Sequence, residues 1–91
     1  MNFRCFSQEN ISLLYLSPYT TVKWNGKGEL DFTQLMFRRF VRLKGAHGDL
    51  DELLKLLTGG VGQPELLAMG NVKFTDFQQW FSKAMFAGII E

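Results

Sequence analysis

The sequence predicts an all-α fold of two helix-loop-helix units with a minimal two-stranded ribbon between their loops. Three observations carry that expectation. The stretches KGELDFTQLMFR (27–38) and MGNVKFTDFQQW (69–80) superimpose without a gap, setting Gly28 on Gly70, Leu30 on Val72, Phe32 on Phe74 and Thr33 on Thr75. Apolar residues recur at helical spacing at Phe74, Phe77, Phe81, Met85 and Ile89 and again at Phe32, Leu35, Met36, Phe40 and Leu43. Acid followed three residues on by Glu or Gln, at Asp31–Gln34 and Asp49–Glu52, has the form of a helix-opening capping box.

Each element follows in order. Ser7 caps a first helix over about 8 to 16, rich in Ile and Leu and stopped by Pro18. Asn25-Gly26 marks the strongest turn of the next segment, and Leu30 centres a very short extended piece. A second helix runs from Phe32 to about Leu43 and ends before Gly45. After the loop GAHG, a Leu-rich helix covers Leu50 to Leu57, and TGGVGQP ends it. A helical turn at Glu65 to Met69, a second brief extended piece at Val72 and a last helix from about Thr75 onward complete the chain. The whole reads as one domain over 1–91, unit one at about 7–44 and unit two at about 49–90. One such unit cannot bury its apolar face alone, hence two.

Nine Phe, two Trp and two Tyr in 91 residues exceed what a minimal core needs, so some aromatic surface is expected to meet a partner or the rest of a larger polypeptide. A formal charge of +1 gives no global field for steering nucleic acid. Cys5, the single cysteine, forms no internal disulfide, and with His47 alone builds no zinc site. No apolar run approaches the roughly 20 residues that span a bilayer, and the first residues lack a secretory apolar stretch. An intracellular protein, cytoplasmic or nuclear, without a membrane partner is the expectation.

The repeated glycine, the aliphatic residue two places on and the helix-opening residue after it resemble a paired EF-hand domain, the superfamily of calmodulin and myosin light chains. With each glycine at position six of a twelve-residue loop, the loops read KWNGKGELDFTQ and ELLAMGNVKFTD. The resemblance implies a ribbon pairing Leu30 with Val72. The ligand chemistry is missing: Lys23 and Lys27 stand in the first loop, Leu67, Met69 and Lys73 in the second, where a hard dication needs six to eight oxygens. Calcium binding is therefore rejected, and no metal or other cofactor is expected.

No catalytic constellation emerges either. Cys5 and His47 lack an orienting carboxylate, TGGVG lacks the Lys-Ser or Lys-Thr of a phosphate loop, and Asp49, Asp51 and Glu52 crowd a helix start where the dipole favours them. The expected function is that of a calcium-independent, non-enzymatic scaffold or regulatory module gripping an amphipathic helix of a partner, with the basic rim favouring an acidic one. The candidate contact residues are Met36, Phe37, Phe40, Val41, Trp80, Phe81, Met85 and Phe86, with Arg38, Arg39, Arg42 and Lys44 as a basic rim. The alternative is nucleic-acid or phosphate binding through a basic helix over 38–44, separable by its steep salt dependence and held unlikely at this net charge.

Overall fold

The computed structural model describes residues 12–91, and in it the N-terminal half is built from strands. The elements run β1 (Leu13–Leu14), β2 (Thr20–Trp24), β3 (Glu29–Gln34), β4 (Arg39–Lys44), α1 (His47–Gly59), β5 (Val61–Gly62), α2 (Gln63–Lys73) and α3 (Phe77–Ala87). β2, β3 and β4 form an antiparallel meander in that order, and β1 pairs with β5. The fold is mixed α/β, which corrects the all-α expectation.

The reason lies in the period of ELDFTQ. Leu30, Phe32 and Gln34 are buried while Glu29, Asp31 and Thr33 face the other side, the two-residue alternation of a half-buried strand. The helical stripe read at 32, 35, 36, 40 and 43 was an accident of the turn. Leu35, Met36, Phe37 and Arg38 connect β3 to β4, and the first three are all more than half exposed. Gln34, 2% exposed, holds this turn. Its Oε1 accepts from the backbone N–H of Met36 (2.7 Å), and its Nε2 donates to the Gly88 carbonyl (3.1 Å).

The paired EF-hand arrangement is overturned with the helices. Leu30 is fully buried in β3 between Trp24 and Leu43, whereas Val72 is 84% exposed on α2, so no ribbon joins them. The two glycines do unrelated work. Gly28 takes a left-handed φ of 73° in the β2–β3 turn, which Asn25 closes by accepting the Lys27 N–H on Oδ1. Gly70 lies inside α2, against the ring of Phe77. The expected helix over 8–16 falls partly outside the described residues; where it is described, Leu13–Leu14 form β1 and Leu16 bridges to Ile90.

The C-terminal half is helical, with two corrections: one helix, α2, replaces the short turn at Glu65 to Met69 and the extended piece at Val72, and Ile89 lies beyond the end of α3. Leu50, Leu53 and Leu57 give α1 one buried stripe. Pro64 sits in the first turn of α2, where its missing N–H costs nothing, and Gly88 ends α3 with φ 78°. Phe32 meets Trp80 at 5.2 Å between ring centroids, Trp80 meets Phe77 at 5.4 Å, and Phe77 meets Phe74 at 5.6 Å. This aromatic ladder fastens α3 to the sheet. Each such ring contributes about 1.5–3 kcal/mol through burial.

Candidate functional site

The site is the open edge of β4. In an antiparallel pair, residues that exchange hydrogen bonds alternate with residues that do not. The Gly45 N–H donates to the Gly28 carbonyl at 3.1 Å, so Gly45, Leu43, Val41 and Arg39 turn their backbone groups toward β3. Phe40, Arg42 and Lys44 turn theirs away, to the side on which no strand of the described residues lies. The opposite edge gives the same phase: Asn25 and Glu29 are bonded, as are Tyr19 and Leu35, which leaves the even-numbered residues of β3 for β4.

α3 runs alongside this edge, antiparallel to it. Gly45 lies under the Phe74 ring at one end, and at the other the Arg39 guanidinium stands 4.9 Å from the Phe86 ring centroid. Between them is a groove of about 620 Å³, walled by residues 40–45 on one side and by Phe74, Gln79, Trp80 and Lys83 on the other. Trp80 also has a buried Nε1 with no hydrogen-bond partner among the described residues.

Four cations, Arg42, Lys44, Lys73 and Lys83, line the groove against one carboxylate, Asp76. Two of the four are engaged. Arg42 Nε lies 2.7 Å from Asp31 Oδ1; this hydrogen-bonded guanidinium holds the Asp31 carboxyl below its usual range. Lys73 Nζ lies 2.9 Å from Glu52 and 3.5 Å from Asp49, and the Glu52 hydrogen bond pushes its pKa up. Lys44 and Lys83 have no carboxylate within 4 Å among the described residues.

The residues named from sequence fall in four places. Phe40, Val41, Arg42, Lys44 and Trp80 line the groove. Phe81, 7% exposed, belongs to the core. Met36, Phe37 and Arg38 occupy the β3–β4 turn, and Met85 and Phe86 are exposed near the end of α3. Arg38, Arg39 and Arg42 do not share a helix sector, because strand alternation puts Arg42 and Lys44 on one face of β4 and Arg39 on the other. Lys73, Phe74, Gln79 and Lys83 were missed. Gln79 and Lys83 carried a signal, one residue before Trp80 and three after it, whereas nothing local brings Lys73 and Phe74 to β4.

The residues weighed for other chemistry have structural occupations. His47 opens α1 and stacks on Trp24 at 4.1 Å between centroids. TGGVG forms the end of α1 and β5, with Gly60 against the Tyr15 ring. Cys5 lies outside the described residues. Among those residues no group of three His, Cys, Asp or Glu is placed to hold a metal, and no helix is long and apolar enough to cross a membrane. Comparison of the chain with family models, curated proteins and solved structures gives no match.

Proposed function

We propose that this protein is a non-enzymatic interaction module that takes up an extended, acidic segment of a partner protein as a fourth strand on β4. The single observation behind the reading is the row of outward backbone groups of Phe40, Arg42 and Lys44 beside a groove. A bare edge is a template for another strand, and proteins that do not use one usually block it. The occupant is a strand because a helix satisfies its own backbone and would leave those groups unpaired. Six residues of added strand span about 20 Å, enough to face the whole of β4. Its alternate side chains would enter the groove beside α3, and Lys44 and Lys83 supply the attraction for carboxylates. Such a module works with proteins of the cell interior, cytoplasmic or nuclear, a setting consistent with one cysteine.

Phosphate or nucleic acid is the weaker reading. Arg42 is already bound by Asp31, and the basic residues alternate between two faces.

The test uses peptides selected from a displayed random library on the full chain. They should be rich in Asp and Glu and free of Pro at the residues paired to β4. Lys44→Pro replaces only an outward N–H, so the β3–β4 ladder survives, and it should lower peptide affinity at least tenfold; Lys44→Ala, which removes charge alone, should lower it less. Undiminished affinity in a folded Lys44→Pro chain would refute strand addition. A selected ligand set dominated by helix formers, or tight oligonucleotide binding with a steep salt slope, would refute it equally.

A further inference from the structure

We infer that the β3–β4 turn is a membrane-surface anchor that inserts its apolar tip among the headgroups of an anionic bilayer. Leu35, Met36 and Phe37 are 57%, 60% and 58% exposed, three consecutive large apolar side chains turned to solvent. Two more exposed aromatic residues stand at the same end of the molecule. Tyr19, 53% exposed, accepts the Leu35 N–H on its carbonyl, and Phe86, 79% exposed, lies under Arg39. A contiguous apolar patch of this kind marks a contact surface.

The tip is pre-formed. The buried Gln34 side chain accepts from the Met36 N–H and ties the turn to Gly88, whose Cα faces the Phe37 ring, and Arg38 adopts φ 54° to complete it. Insertion therefore carries little ordering cost. Successive residues of a turn point in different directions, so a flat protein surface would cover one or two of the three side chains. A fluid medium covers all of them.

Charge selects the kind of bilayer. Arg38 and Arg39 flank the apolar residues, and neither has a carboxylate within 4 Å among the described residues. The carboxylates of the meander, Glu29 and Asp31, lie toward its opposite end, in the β2–β3 hairpin and engaged by Asn25 and Arg42. Apolar side chains flanked by Arg and Tyr match the layering of a membrane interface, where long cations reach headgroup phosphates while their stems stay apolar. This departs from the expectation of no membrane partner, which rested on the lack of a spanning segment or secretory stretch, and surface insertion requires neither.

The experiment is co-flotation of the full chain with phosphatidylcholine vesicles, with and without about one-third phosphatidylserine. Wild type should float with the anionic vesicles and remain behind with the neutral ones. Leu35→Glu/Met36→Glu, at two exposed side chains, should lower vesicle affinity more than tenfold while circular dichroism stays unchanged. Arg38→Gly, tolerated by the left-handed backbone, should lower it about fivefold, the effect of one cation at an anionic surface. Lys44→Pro, which disables strand addition, should leave flotation unaltered. The inference is overturned if wild type floats with neither vesicle, floats equally with both, or floats undiminished after the double substitution. It is likewise overturned if the tip cross-links to an acidic protein while ignoring lipid.

Discussion

Gly70→Ala separates two accounts of the same glycine. In the repeat read from the sequence Gly70 supplies a loop turn, and alanine there would meet only backbone strain. In the structure it lies within α2, where a Cβ would sit 2.5 Å from Phe77 Cγ and closer still to two other ring carbons. Carbon atoms prefer about 3.5–4.0 Å, so the ring must retreat by about 1 Å or more. Phe77 is 1% exposed and held between Phe74 and Trp80, so it has nowhere to retreat. Overpacking of this kind costs about 3 kcal/mol at the upper end of its usual range. Alanine's better helix propensity returns up to about 1 kcal/mol, leaving a net loss of about 2 kcal/mol. For a chain of this size that is a fall in Tm of about 8–16 °C. Gly48 in the first turn of α1 is the control, because a Cβ there meets nothing within 4 Å. Gly48→Ala should stabilise by about 0.5 kcal/mol. Urea and thermal unfolding followed by circular dichroism measure both. If Gly70→Ala equals or exceeds wild type in stability, the packing of α2 on α3 described above is wrong.

Phe32→Ala, removing a fully buried ring that joins the sheet to Trp80, should cost about 3–5 kcal/mol in urea titration; a loss under about 1 kcal/mol would place Phe32 outside the core. The depressed pKa of Asp31 gives a pH signature with a definite sign: its contribution is present above the unfolded carboxylate value near 3.8 and is lost as pH falls through the lower folded value. Asp31→Asn should therefore be less stable than wild type at neutral pH and should lose less on acidification to about pH 3, a difference read from urea midpoints at both pH values.

What was legible in the sequence was the part whose signals are local. Leu50, Leu53 and Leu57 declare α1 and Asn25-Gly26 declares a turn, which the structure places in the first hairpin, whereas Gly88, which ends α3, was not read as a stop. The meander was hidden by its own turn. Leu35, Met36 and Phe37 placed apolar residues where a helix stripe would have them, masking the alternation in ELDFTQ and in RFVRLK. The repeat of Phe-Thr after an aliphatic residue was real as text, but Phe32 packs from a strand and Phe74 from the end of a helix. The groove was only half legible. Phe40, Val41 and Trp80 were named as candidate contact residues, yet which edge of β4 is bare follows from its pairing with β3. That Lys73 and Phe74 reach β4 follows from tertiary packing.

Hydrogen exchange of the individual β4 amides, followed by NMR, tests the central claim most directly. In the free protein the amides of Val41, Leu43 and Gly45 should be protected, and those of Phe40, Arg42 and Lys44 should exchange fast; a selected acidic peptide should then protect the second set. Protection of Phe40, Arg42 and Lys44 without ligand, or no change in them at saturating peptide, would contradict an open edge that binds by adding a strand.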